Sequence, residues 1–432
     1  MGQMLCRERF CQRYTRWKGV IRSLLIGLCP MVAFVQAQTL RWLAPLPNHE
    51  ASWAYAISAD GSTVVGFSWD ADAPGGLTRA VRWTAANGWQ PQDLGSLAGP
   101  GQNSNAKGVS ANGQVVVGDS TGTLGYMFRA FRWTPTTGMQ DLGSLGGSGI
   151  SWGEAVSANG TVVVGAAAID GGGFHAFRWT PSSGMQDLGT LGGRTSWAYG
   201  ISADGTIIVG WASNASGQMR AFRWTASTGM QDLGVLPGGT SSNAWGISAN
   251  GQVIVGSASN AEGNGRAFRW TAATGMQDLG ILPGFDDSEA NATSGDGSVI
   301  VGKVRIRATN RWRAVRWTAQ TGMRDLNRIY ADLLANGSIL YSVFGVSQDG
   351  RYLAGVGYNA ATGRDEAFLL QDTRLCPPPD ADVDGNGCVD DADLLQVLFA
   401  FGRSSTPLDI NCDGTVDDAD LLMVLFNFGR GC

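Results

Sequence analysis

Twelve residues near the end of this 432-residue chain have the types and spacing to hold two hard cations. Asp382, Asp384, Asn386, Asp390 and Asp393 fall at positions 1, 3, 5, 9 and 12 of a loop in which the backbone carbonyl of Cys388 supplies position 7. Gly387 stands at position 6, where such a loop turns sharply. Asp409, Asn411, Asp413, Thr415, Asp417 and Asp420 repeat the pattern around Gly414. Oxygen donors in this order suit calcium, so two calcium ions are the expected cofactors. An acidic solvated tail would need neither the glycines nor the duplication. Each loop runs into a short apolar helix, at 394–399 and 421–426.

The same segment holds Cys376, Cys388, Cys412 and Cys432, an even cluster that reads as two disulfides in a small exported module. A ligand at position 7 binds through its carbonyl, which leaves the Cys388 side chain free to pair with Cys412 in the sister loop. Cys376–Cys432 would then clasp the ends of the module. The sequential pairs Cys376–Cys388 and Cys412–Cys432 are the main alternative.

Catalytic signals elsewhere are sparse. The chain has two histidines, His49 and His175, and no helix-borne metal triad. Asp70, Asp72, Asp170, Asp286, Asp287, Glu289 and Glu366 lie on connecting segments, and carboxylates from separate repeats can serve glycoside hydrolysis. No catalytic residue is assigned. Whether the chain is an enzyme stays open, with the balance against it.

The elements that must carry these groups come from a repeat. Asp/Asn-Gly turns recur at Asp60, Asn112, Asn159, Asp204, Asn250, Asp296 and Asp349. Trp83, Trp133, Trp179, Trp224, Trp270 and Trp317, each in an Arg-Trp-Thr, lie 45 to 50 residues apart. Such a period built from short β segments reads as propeller blades. In the fourth unit, Ser196–Ser202, Thr206–Gly210, Ala221–Thr225 and Gly229–Leu233 form four strands around the Asp204-Gly205 turn. The expected fold is therefore an all-β, seven-bladed propeller followed by a small α-helical, EF-hand-like module.

Register follows from the Pro135–Gly138 loop if it holds four residues: Arg132 then faces Asp141, and Phe131 faces Leu142. The recurring pairs Arg82/Asp93, Arg178/Asp187, Arg223/Asp232, Arg269/Asp278 and Arg316/Asp325 read as cross-strand ion pairs. The last repeat lacks a fourth strand, and Leu40–Leu46 matches that pattern, with Trp42 expected opposite Leu369. The N-terminal strand thus closes the ring. The first strand of each unit is expected innermost. Trp69, Tyr126, His175, Trp211 and Trp312, on or beside the variable connections of strands two and three, form the candidate ligand surface for a glycan or protein. Arg305, Arg307, Arg311 and Arg313 crowd one such connection beside the acidic stretch 285–289, and mutual neutralisation is expected.

Residues 1–37 read as a signal peptide: a basic stretch, an apolar run too short to span a bilayer, and small residues before Gln38. A secreted location is expected, with cell-surface attachment as a variant. Without the leader the chain carries 25 basic and 35 acidic residues, for a net charge of −10, most of it in the C-terminal module. That balance argues against nucleic acid as a partner. The domains are then 1–37 leader, 38–372 propeller, 373–380 Pro-rich linker and 381–432 calcium module.

Two resemblances add to this reading. The Leu40–Gln371 repeats resemble those of the HAF family, whose motif stands here as His175-Ala176-Phe177. That resemblance implies an exported propeller and no particular activity. The paired loop–helix units across 382–428, with Asp at position 12, resemble type I dockerins. This implies a calcium-dependent docking tag and a cohesin-like partner, met through helix residues at Asp391-Ala392 and Asp418-Ala419. The function expected is a secreted binding or scaffold propeller with a docking tag. The alternatives are a dockerin-tagged hydrolase or lyase acting on glycans, and a structural surface protein without a soluble ligand.

Overall fold

Each repeat puts small and β-branched residues on four short strands separated by glycine turns, and in the computed structural model they form seven four-stranded antiparallel sheets. The structure describes residues 38–73, 75–123, 127–371, 383, 389–402, 408 and 416–429. Blades 1 to 7 begin with the inner strands Ala51–Ile57, Ser104–Val109, Ser151–Val156, Gly192–Ile201, Ser242–Ile247, Asp287–Thr293 and Ile339–Val346. The N-terminal strand Thr39–Leu43 is the outer strand of blade 7, antiparallel to Arg364–Gln371, so the two ends of the repeat region share one sheet.

The propeller core lies between blades. The buried Phe131, Phe177, Phe222, Phe268 and Phe368 come from the third strands, and each packs in a layer with the neighbouring blade. Between blades 1 and 2, for example, Val65, Ala80 and Leu94 meet Ala106, Val116, Phe131 and Trp133. Polar stitches accompany the apolar layers. The buried Ser104 hydroxyl accepts from Ala80 N and donates to the Gly95 carbonyl of blade 1, and Ser52, Ser151, Ser196, Ser242 and Ser288 do the same for their own neighbours. These bonds give the serine of six of the seven inner strands its partners, as a buried hydroxyl requires.

The Asp/Asn-Gly turns form a second belt. Ser202 Oγ donates to Asp204 and accepts from Ile207 N, and the same Ser–Asp/Asn bond recurs in all seven turns. The Ser202 hydroxyl and the Thr206 amide hold the Asp204 carboxyl below the usual carboxylate range. Backbone bonds then run from turn to turn: Ala59 N to Ala111 O, Ala111 N to Ala158 O, Ala158 N to Ala203 O, and Ala203 N to Ala249 O. Asn250 N to Gly295 O, Gly295 N to Gln348 O, and Gln348 N to Ala59 O complete the circle.

The register differs from the sequence expectation by one residue. Thr134 pairs with Gly138, Arg132 with Gln140, and Phe131 with Asp141. Gly138 adopts φ +65° and enters the strand, so the loop holds three residues rather than four. Consequently the recurring Asp is bonded not to the Arg of Arg-Trp-Thr but to the residue three positions earlier: Arg79–Asp93, Arg129–Asp141, His175–Asp187 and Arg220–Asp232. The Arg-Trp-Thr arginine instead reaches the next blade. Arg82 donates to Gly113 O and stacks on Trp133, while Arg132 donates to Gly160 O. Trp42 likewise pairs with Phe368 rather than Leu369, edge to face at 6.2 Å.

The C-terminal unit has its own small core, Val389, Val397, Ala400, Val416 and Val424, between helices Asp391–Ala400 and Asp418–Asn427. Gly402 N donates to Val416 O and Gly429 N to Val389 O, so each helix end ties to the segment before the other helix. Asp382, Asp384, Asn386, Cys388, Asp409, Asn411, Asp413, Thr415, Cys376, Cys412, Cys432 and residues 1–37 lie outside the described residues. No helix among the described residues is long and apolar enough to cross a membrane.

Candidate functional site

One glycine per blade shapes the middle of the propeller. The carbonyl oxygens of Trp53, Asn105, Trp152, Trp197, Asn243, Glu289 and Ser342 sit 1.8 to 2.0 Å from where a Cβ would lie on Gly66, Gly118, Gly165, Gly210, Gly256, Gly302 and Gly355. No side chain fits there, and the space lets each inner strand bulge. Opposite this glycine the pairing of each blade skips one residue: Tyr55, Lys107, Glu154, Tyr199, Trp245, Asn291 and Phe344. A bulge re-aims the residue it leaves unpaired, and all seven skipped residues line one cavity of about 670 Å³ shared by the inner strands. That is the size of a small-ligand site.

Gly165→Ala tests this link. Forcing a methyl into the Trp152 carbonyl is expected to cost about 1–3 kcal/mol or more, the range for overpacking a tight site. Chemical denaturation of the variant measures it, and an unchanged midpoint would detach the glycine from the bulge.

The polar part of the cavity is concentrated on blades 2 and 3. Lys107 Nζ lies 2.8 Å from Asp119 and 2.9 Å from Glu154, and Trp197 Nε1 donates to Glu154 at 3.1 Å. Asn105 Nδ2 donates to the other Asp119 oxygen. The Glu154 and Asp119 side chains are only 10% and 4% exposed. Burial raises the Glu154 pKa, and the Asp119 charge adds to the rise while Lys107 opposes it. Burial also works against the Lys107 charge, but Glu154 and Asp119 outweigh it and hold the ammonium protonated. Tyr199 is pushed up to about 12 by burial and by Glu154, so it remains a neutral hydroxyl.

The rest of the wall is aromatic. Tyr199 meets Trp245 edge to face at 4.7 Å, Trp197 stacks on Trp152 at 4.9 Å, and Tyr55 meets Phe344 at 5.5 Å. A second cation, Lys303, pairs with Glu289 at 3.2 Å and lies 4.3 Å above the Trp312 ring.

Of the surface residues proposed from sequence, Trp312 and Trp211 belong to this neighbourhood, Trp312 through Lys303 and Trp211 through a side-chain bond to Tyr199. Trp69 is partly exposed at the end of a second strand, and His175 is paired with Asp187 on an outer hairpin. Tyr126 lies outside the described residues. Among the carboxylates named from the sequence, Glu289 alone lines the cavity. Asp70 and Asp170 accept backbone N–H groups, Glu366 is buried against Asn359 and Thr362, and Asp286 and Asp287 hold Arg307. The expected mutual neutralisation therefore takes place at Arg307.

Apart from Glu289, the residues that line the channel are absent from those named from the sequence. Both variable positions of the repeated Ser-x-Ala-x-Gly pattern change character from repeat to repeat, so variation alone does not single out the second, which lines the channel.

No family model matches the chain, and no curated protein matches it. Among solved structures, a protein described as TolB from Agrobacterium tumefaciens is similar at 12% identity, with 65% of this chain and 94% of that one covered and a TM-score of 0.41. TolB from Acinetobacter baumannii gives 12%, 73%, 81% and 0.39. At these values neither similarity carries functional information.

Proposed function

We propose that this chain is a secreted binding or scaffold propeller whose ligand enters the axial channel, and that its C-terminal module is a calcium-stabilised docking tag. One observation carries the binding reading: seven backbone bulges present seven chosen side chains to one cavity in a protein whose repeats are otherwise nearly alike. Aromatic faces beside carboxylate, amide and ammonium groups suit the apolar faces and hydroxyls of a sugar. A glycan is therefore the ligand class put forward. Screening the secreted protein against a glycan panel tests it. Tyr199→Ala and Trp245→Ala are expected to weaken any binding at least tenfold while leaving the fold intact. Glycan binding that both variants retain would move the site elsewhere.

A second reading has one observation in its favour. Glu154, buried with a raised pKa, is the kind of carboxyl that serves as a general acid. Turnover in the same panel, lost in Glu154→Gln with binding kept, would make the chain a glycan-active hydrolase or lyase.

For the tag, the resemblance to type I dockerins is supported by the described position-12 carboxylates. Asp393 and Asp420 are fully buried, and each accepts the backbone N–H of the position-9 residue, Asp390 and Asp417. Asp393 also accepts from Val383 N. Buried carboxylates are held by hydrogen bonds and a cation rather than left alone. Two calcium ions would be held by Asp382, Asp384, Asn386, Cys388, Asp390 and Asp393, and by Asp409, Asn411, Asp413, Thr415, Asp417 and Asp420. A cohesin-like protein is the partner proposed.

Calcium is expected to raise the melting temperature of this unit in the full chain, by about 2.7 kcal/mol of stabilisation at a hundredfold excess over its dissociation constant. Chelation should reverse the shift, and Asp393→Asn should halve the bound calcium. No heat of calcium binding and no response to chelator would refute the tag reading.

A further inference from the structure

The channel is both acidic and aromatic, and that combination selects among sugars. Its ionisable lining groups are Lys107, Glu154, Glu289 and Lys303, with Asp119 behind Lys107. Glu289 and Lys303 neutralise each other, while Lys107 faces two carboxylates, so one negative charge is left over on blades 2 and 3. Both described hydrogen bonds to Glu154 end on Oε1, leaving Oε2 as its remaining acceptor. Glu154 stands between Lys107 and Tyr199 in the order of the blades, with Trp245 following Tyr199. The protein itself already places one ammonium against these walls: Lys303 lies over Trp312 and, at 5.9 Å, over Phe344.

We infer that the channel takes an amino sugar, with its protonated amine at Glu154 beside the Tyr199 and Trp245 rings. This rests on the glycan reading above and narrows it. A cation beside aromatic faces and an unmatched carboxylate gains from both at once, and more so away from bulk water. The carrier is a sugar rather than a quaternary ammonium because the channel also offers hydroxyl partners. Tyr55 and Tyr199 keep their phenolic protons, since burial raises both pKa values. Asn291 spends its Nδ2 on Ser342 and the Val343 carbonyl, which leaves its amide oxygen as an acceptor. A trimethylammonium group, which has no N–H or O–H, would use none of these.

Titration calorimetry on the full chain decides the matter with three matched probes: glucosamine oligosaccharides, their N-acetylated forms, and the neutral glucose oligomers. The free amines are expected to bind at least about tenfold more tightly than either of the others, a difference of about 1.4 kcal/mol. Glu154→Gln, nearly isosteric, should erase that preference while leaving the far-ultraviolet spectrum and melting temperature close to wild type. Should Glu154→Gln fold poorly, Trp245→Leu provides the check, since it leaves the charges in place and should weaken the amines most. Equal binding of all three probes overturns the amino-sugar assignment and leaves the glycan reading standing. Binding of none overturns both. Nα-acetyl-lysine amide serves as a fourth, non-sugar probe, and its binding more tightly than every sugar overturns the sugar carrier.

Discussion

Removal of residues 38–48 is expected to unfold the propeller or drive it into aggregates. The strand Thr39–Leu43 is the outer strand of blade 7, and it also reaches blade 1. Leu43 is fully buried, Trp42 packs on Phe368, and Leu40 covers the layer between blades 6 and 7. The Leu43 carbonyl accepts from Ser52, the Ala44 carbonyl from Trp83 Nε1, and Leu46 N donates to Ser68. Full burial of a large apolar side chain is worth about 1.5–3 kcal/mol, so Leu43 together with the half-buried Leu40 and Trp42 contributes a sizeable share of the stability an ordinary domain has. The deletion would also expose the backbone edge of Arg364–Gln371, an invitation to pair with another chain. Size-exclusion chromatography and thermal melts of the truncated protein measure the effect. A synthetic peptide of residues 38–48 should restore the monomer by adding back its strand. A truncated chain that melts like the wild type would show that ring closure contributes little.

The sequence carried the architecture well and the site poorly, for different physical reasons. Repetition multiplies a weak strand signal by seven, and the missing fourth strand of the last repeat leaves the N-terminal segment as its only counterpart. Register was harder. Whether Gly138 ends a four-residue loop or opens the strand depends on its φ of +65°, and the sequence permits either. That single residue decides whether Asp141 meets Arg132 or Arg129, and so which arginines serve the hairpin and which tie adjacent blades. The channel was missed for a related reason. A residue in a regular strand faces a side that alternation gives, but Lys107 and Glu154 sit in bulges, where alternation breaks. The clue lay in the other strand, in the glycines whose missing Cβ makes room for the bulge. Trp211 and Trp312 were found because exposed-looking aromatics stand out, yet their partners Tyr199 and Lys303 were not.

Lys107→Met should be the most damaging single substitution in the channel. The lysine is the counter-ion of two carboxylates that are nearly out of contact with water, and its own side chain is 24% exposed. Taking away one partner of a buried ion pair costs about 3–5 kcal/mol, because the remaining charges are left uncompensated. Acid should relieve that cost. In the variant, Glu154, whose pKa burial already raises against the opposing Lys107 charge, would hold its proton to higher pH in the folded state than in the unfolded one. The folded state then binds more protons, and its stability falls as pH rises. The gap between variant and wild type should therefore be wide at pH 7.5 and narrow toward pH 4, near the ordinary carboxylate range. The wild type should behave differently at the alkaline end. Its Lys107 pKa is raised, so the lysine's contribution is complete below the unfolded value and fades as pH climbs through the folded one. Adding Glu154→Gln to Lys107→Met removes one of the two stranded charges and should recover part of the loss at pH 7.5. Melting temperatures of the three proteins at both pH values test the account. A penalty that is the same at pH 4 and pH 7.5, or a double variant no better than the single, would mean that Lys107 acts through packing and not through its charge.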